Sequence, residues 1–312
     1  MSATLLLLLP LGLLAIVSLL CFVGCSFSAA GIATYYQYQQ TVLQTSGVLA
    51  LWSLNEASGT IAYNGVTTAD PSTNGTYLAT TVPYPDDSQD ALKSAPAPGT
   101  FQIGQSPGIV AGDCANGDPN QVSSCAVFDG GYVSVAANAS LNPAQFSIEA
   151  WVRPDWAASD PAAFRIVAMS RDNSPPIFKG FALYARPDNV WGVSVSDGTA
   201  PLTEVKANGP FALGLTNHLV ATYDGSTLVL YVDGDASSLP NLPYNPNVTK
   251  PLYIATGAPE LPLRTGTAVN DPTHGPLNPF KGVIQDVAIY NRALTSTEVA
   301  THLANGNACA TS

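Results

Sequence analysis

The chain has 312 residues, of which 11% are charged and 46% hydrophobic, with 26 Gly and 25 Pro; this suits many strands joined by tight turns better than helices or disorder. Eleven basic residues stand against 22 acidic ones, a formal charge of −11. The basic surface that tracks a phosphate backbone is therefore missing, which argues against nucleic acid as a partner and leaves an acidic surface open to cations.

No Asp, Glu, Lys, Arg or His precedes Glu56, and residues 4–25 form a continuous apolar stretch. At about 1.5 Å rise per residue, such a stretch can cross a bilayer. Residues 1–30 are expected to address the chain to a membrane, and three fates stay open. Phe22-Val23-Gly24-Cys25 is a degenerate lipoprotein-type box that would lipidate Cys25. Ser28-Ala29-Ala30 offers a signal-peptidase site, and without cleavage the segment stays as a hydrophobic membrane helix. The first basic residue is Lys93, so a basic flank that would favour cleavage or set orientation is missing. A buried core helix is the bland alternative. Residues 31–46 (GIATYYQYQQTVLQTS) read as a polar stalk, and a domain over 47–312 follows.

Two Pro- and Gly-rich stretches, about 82–120 and 238–279, are expected to be surface loops. Cys114 and Cys125 flank a polar loop, and a disulfide between them would suit an exported protein. Cys309 is then left without a partner. Asn74, Asn138 and Asn247 begin glycosylation sequons.

In Phe146–Val152, Phe146, Ile148, Ala150 and Val152 share one face of a strand, while Glu149 and Trp151 point the other way. His218–Tyr223 and Thr227–Val232 flank Asp224-Gly225-Ser226 and predict a hairpin. Gly282–Tyr290 is a further strand. Thr295 and Glu298 form a capping box, with Leu294 and Val299 as a hydrophobic staple, so one short C-terminal helix follows.

Five of these segments, in order, resemble the laminin-G-like jelly rolls of the concanavalin A-like superfamily found in bacterial-type surface proteins. They are Leu49–Thr60 with Asn74–Tyr77; Phe128–Val135 with Leu141-Asn142-Pro143; Phe146–Pro154; His218–Gly225 with Leu230–Gly234; and Gly282–Leu294 with Glu298. The resemblance implies an all-β, two-sheet antiparallel jelly-roll sandwich over most of 47–306. It departs at Gln285, where the closing motif carries Asp, and at His218, which lacks a preceding Trp.

The resemblance also implies a structural calcium ion near the first and last strands, and calcium takes several hard oxygen ligands. By period-two alternation Asp286 shares a face with Ile284, Ala288 and Tyr290, an odd place for a charge without a compensating group. Asp286 is the expected ligand, with Glu56 as companion and Asp70 as a weaker one; in the bland alternative Asp286 accepts backbone N–H groups and Glu56 caps a turn. Asp129, Asp224 and Asp233 each precede Gly and are expected to form turns.

Catalysis finds little support. The five Glu residues are dispersed, and no paired-carboxylate, nucleophile-elbow or HExxH pattern is present. Sugar rings stack on exposed aromatics, for which Trp156, Trp151, Trp191 and Tyr184 are candidates; for Trp151 core packing on a second surface is the favoured role, and Trp156 has the better case for exposure. The expected function is a non-catalytic recognition module for glycans or surface proteins at the extracellular face of a membrane or secreted. The alternative is a structural protein of an envelope or surface assembly, self-associating through its N-terminal segment.

Overall fold

The computed structural model describes residues 36–79, 99–115, 118–160, 162–172, 179–199, 203–257 and 278–309. The segment read as signal or anchor, with Cys25, lies outside these residues; among them no helix is long and apolar enough to cross a membrane. The strands, numbered in chain order, form two antiparallel sheets.

The first sheet contains β1 (Val48–Trp52), β4 (Thr100–Gln105), β5 (Cys125–Asp129), β7 (Phe146–Pro154), β12 (Asn217–Tyr223), β13 (Leu228–Val232), β14 (Asp235–Leu239) and β16 (Lys281–Tyr290). The second contains β2 (Ile61–Ala62), β3 (Gly75–Leu78), β6 (Tyr132–Val135), β8 (Arg165–Asp172), β9 (Lys179–Ala185), β10 (Val190–Asp197), β11 (Thr203–Pro210) and β15 (Leu252–Ile254). The order in the first is β14-β13-β12-β7-β16-β5-β4, with β1 also on β16; in the second it is β11-β10-β9-β8-β15-β6-β3-β2. β5 pairs with the first half of β16 and β1 with its second half, so the chain's early and late strands meet.

Alternation decides which side chains lie between the sheets. Phe146, Ile148, Ala150 and Val152 of β7 face Phe181, Leu183, Trp191 and Val193 of the second sheet in the main core. The predicted hairpin forms, with Tyr223 opposite Leu228. On the outer face of the first sheet, Leu51, Trp151, Val220, Ala288 and Tyr290 make a second core beneath helices α1 (Gln37–Gln44) and α2 (Ser296–Asn307). The capping box of Thr295 and Glu298 is present, and Leu294 and Val299 are both buried in this second core.

Three expectations change here. The stretch read as a polar stalk contributes α1, which buries Tyr38, Gln39 and Val42 against the domain. The polarity that suggested a stalk is used instead in buried hydrogen bonds from Tyr38 and Gln39. The disulfide joins Cys114 to Cys309, not to Cys125, which lies buried in β5 as a free thiol. The bond ties the 106–115 loop to the end of α2. That contact is intimate: a Cβ on Gly112 would sit 1.6 Å from the Asn305 carbonyl, and one on Gly306 2.1 Å from the Trp151 ring. Gly306 therefore serves close packing within the helix.

The third change concerns β16. Asp286 has φ 53°, and the pairing with β7 shifts between Gln285 and Ala288. This bulge breaks the period of two. Ile284 lies in the main core while Ala288 and Tyr290 point outward, so the predicted common face of Ile284, Asp286, Ala288 and Tyr290 does not exist.

Candidate functional site

An open pocket lies where the loops after β7, β9 and β11 converge. Its cavity is about 150 Å³ and is lined by Trp156, Asp160, Arg165, Asn189 and Leu213 together with alanines of the 155–164 loop. Trp156, just past the end of β7, is only 9% exposed. Its ring meets Phe211 and Phe280 edge-on, and the Arg165 guanidinium lies over it at 4.8 Å. Arg165, at the start of β8, approaches Asp160 at 3.8 Å, and Lys281 reaches the same carboxylate at 3.4 Å. Burial pulls the Arg165 guanidinium below its usual value, and Asp160 opposes that shift. Asn189 holds the β9–β10 turn at φ 57°, where Asn is tolerated, and its carbonyl accepts the Phe211 N–H. The pocket thus combines a carboxylate, a cation held by an indole, and an amide in a lining more polar than apolar.

The structure places only Trp156 of the four candidate aromatics at this pocket, and its ring is mostly covered rather than open. The other three are packing residues. Trp191 stacks on Phe211 at 4.3 Å in the main core and donates to Asn217. Tyr184 is buried on the outer face of the second sheet, its hydroxyl bonded to Glu204. Trp151 lies beneath α1 and α2, with His218 4.6 Å away and Tyr38 edge-on. Residues far apart in sequence cover the face of β7 that alternation marks as solvent-facing, and this is why Trp151 is not exposed.

The same cover buries Glu149, the carboxylate that points away from the Phe146 and Ile148 face of β7. Tyr38 and Tyr290 donate to it at 2.6 and 2.7 Å, and His218 Nε2 and His302 Nδ1 approach it at 2.6 and 2.9 Å. Burial alone would raise the Glu149 carboxyl, but His302 and His218 carry it well below the usual carboxylate range. His302 responds oppositely: burial would lower it, and the neighbouring Glu149 charge raises it above the usual imidazole value. The cluster is sealed from solvent, so it joins elements rather than meeting a substrate.

The expected metal residues do not come together. Glu56 accepts from the Tyr63 N–H and the Tyr77 hydroxyl, and Asp70 caps a short turn through the Ser72 N–H. Asp286 is fully buried, and neither of its carboxylate oxygens has a well-formed hydrogen bond. Burial and then the Asp113 charge push its carboxyl well above the usual range. Asp113 itself is pushed up by burial to about 6, against hydrogen bonds from Ser123, Gln39 and Gln285. Its second oxygen is likewise unpartnered. Among the described residues no group of three His, Cys, Asp or Glu side chains is placed to hold a metal ion.

The sequence matches the concanavalin A-like lectin/glucanases superfamily, in its laminin-G-like branch, over residues 128–300. The chain belongs to that superfamily. Solved structures are similar to the chain at low identity. Domain 4 of AbnA, an extracellular arabinanase from Geobacillus stearothermophilus solved with arabinotriose, is 15% identical with TM-score 0.46, over 82% of this chain and 98% of that one. Trypanosoma rangeli sialidase in complex with the inhibitor DANA is 16% identical with TM-score 0.49, over 92% of this chain but 36% of the sialidase. The binding domain of Paraclostridial Mosquitocidal Protein 1 is 14% identical with TM-score 0.49, over 82% of this chain and 52% of that one. No curated protein matches the sequence.

Within this superfamily fold, Asp160, Arg165 and Asn189 escaped the sequence reading. Pro187-Asp188-Asn189 carries a turn signal, and Asp160 lies in a polar stretch after Pro154. Neither signal says that three loops from different parts of the chain meet at one end of the sandwich. Asp113 was likewise hidden, inside a stretch that read as an ordinary loop.

Proposed function

We propose that this laminin-G-like domain is an extracellular, non-catalytic carbohydrate-recognition module whose ligand sits in the end pocket beside Trp156. The observation that carries the reading is the pocket itself. Asp160, Arg165 and Asn189 converge on a small, predominantly polar space at the loop end, with Leu213 and Trp156 as its apolar part, and such placed polar groups can bond the hydroxyls of a ligand. Membership of a superfamily that includes lectins supports the carbohydrate class. Non-catalytic use follows the sequence, whose dispersed Glu residues carry no paired-carboxylate pattern of the kind most glycoside hydrolysis uses. The disulfide supports an oxidising compartment, and the hydrophobic segment ahead of the domain would tether it or direct its export.

A calcium ion, as the superfamily resemblance suggests, fits Asp286 and Asp113 and does not fit Glu56 or Asp70. Three buried carboxylate oxygens on the first pair lack a well-formed hydrogen bond, with Gln39 and Ser53 beside the Asp286 carboxylate, which suits a hard cation, whereas Glu56 and Asp70 already hold their own turns. The ion would be structural, neutralising two buried charges behind β16.

A glycan array probed with wild type and Asp160→Ala tests the reading. Selective binding by wild type that Asp160→Ala abolishes is expected; equal binding by both proteins would contradict it.

A further inference from the structure

We infer that the end pocket takes one neutral sugar ring at the end of a glycan chain, held through two adjacent hydroxyls on the Asp160–Arg165 pair. The inference rests on the carbohydrate reading of this pocket and specifies its ligand.

Size comes first. A cavity of about 150 Å³ equals one that benzene fills, and a hydroxylated sugar ring is larger than benzene, so the space takes at most one ring. A stretch of several sugars would need a groove. One ring-sized space selects a chain end or a single-residue branch.

Charge comes second. An anionic sugar is recognised by a cation whose charge is not already matched. Asp160 faces both Arg165 and Lys281, and Lys281 also approaches Asp129 at 3.6 Å. Arg186, beside the lining residue Pro187, is held by Glu204 and Asp188. The cations at this end are thus matched by carboxylates, within a chain of formal charge −11. Among the described residues, sialylated, uronate or sulfated ends find no uncompensated cation at this pocket, and the net charge of the chain repels them.

Geometry comes third. The 3.8 Å between Arg165 Nη2 and Asp160 Oδ2 exceeds a direct hydrogen bond. One ligand hydroxyl can donate to the carboxylate while its neighbour accepts from the guanidinium. Trp156 fixes the guanidinium from below, so its direction is set before ligand arrives. Asn189 can both donate and accept, and Leu213 offers an apolar surface to the sugar's C–H groups.

Calorimetry on the full chain tests this, using neutral monosaccharides, trisaccharides ending in the same residue, sialyllactose and glucuronate. A neutral monosaccharide is expected to bind, and extension to the trisaccharide to tighten it by less than about threefold. The acidic sugars should bind at least about tenfold more weakly. Ala162→Phe, which fills the pocket from an exposed position, should weaken binding about tenfold or more with an unchanged melting temperature. Preference for acidic sugars, about tenfold tightening from monosaccharide to trisaccharide, or indifference to Ala162→Phe would each overturn the inference while leaving carbohydrate binding in place. Absence of binding to every sugar would instead remove the carbohydrate reading on which it rests.

Discussion

Tyr38, in the first turn of α1, donates its hydroxyl to Glu149 in the middle of β7 at 2.6 Å, across 111 positions of sequence. His302 meets the same carboxylate from α2, so one buried charge fastens both terminal helices to the sheet. Glu149→Ala leaves two imidazoles and two phenols without their common partner. Removing one member of a buried ionic network costs about 3–5 kcal/mol, and urea unfolding should report a loss of that order. Glu149→Gln, which keeps shape and part of the hydrogen bonding, should lose less. A loss within experimental error for Glu149→Ala would show that the cluster does not fasten the helices.

Stability should fall as pH rises from mildly acid to alkaline values. His302 has a folded pKa above its ordinary 6.5; its contribution is full below that value and is lost as pH rises through the folded one. Asp113 is raised from 3.8 to about 6, so the folded state prefers its protonated form and stability drops across that interval. The depressed Glu149 has the opposite sign: its contribution is present above the ordinary carboxylate range and is lost on strong acidification. Melting temperatures in EDTA should therefore peak near mildly acid pH. Asp113→Asn should flatten the slope below about pH 6, and His302→Gln should flatten the slope above about pH 6.5. Profiles in the two variants parallel to wild type would refute the assignment.

Calcium should raise the melting temperature of wild type at neutral pH, with stabilisation of about 2.7 kcal/mol at a hundredfold excess over Kd. Asp286→Asn and Asp113→Asn should each remove the shift, and Glu56→Gln should keep it. A shift that survives both Asp changes would place the ion elsewhere.

Peptide mapping of unreduced protein should recover Cys114 linked to Cys309, with Cys125 alkylated only after unfolding, since burial pushes its thiol up to about 11. Reduction should cost about 2–5 kcal/mol, because the bond closes a loop spanning most of the domain. Recovery of a Cys114–Cys125 peptide would contradict the fold around α2.

The main sandwich was legible because it rests on local signals. The alternation in Phe146–Val152, the Asp224-Gly225 turn and the Thr295/Glu298 box each specify their own element. Three things were not legible, each for a physical reason. The outer face of the first sheet gave no sign of its cover, because for Glu149 that cover comes from Tyr38 and His302, more than a hundred positions away; the favoured core packing of Trp151 is observed, but the sequence did not show what packs on it. The bulge at Asp286 reversed a face assignment that rested on strict alternation. The pocket needed three loops to converge, and the one correctly placed aromatic, Trp156, supports Arg165 rather than offering an open ring.

The most direct test is a crystal structure of the protein soaked with the neutral glycan selected on the array. Density for one sugar ring between Asp160, Arg165 and Asn189, with its hydroxyls on the first two, is the predicted result. Density seated on another surface, with this pocket holding only solvent, would contradict the account.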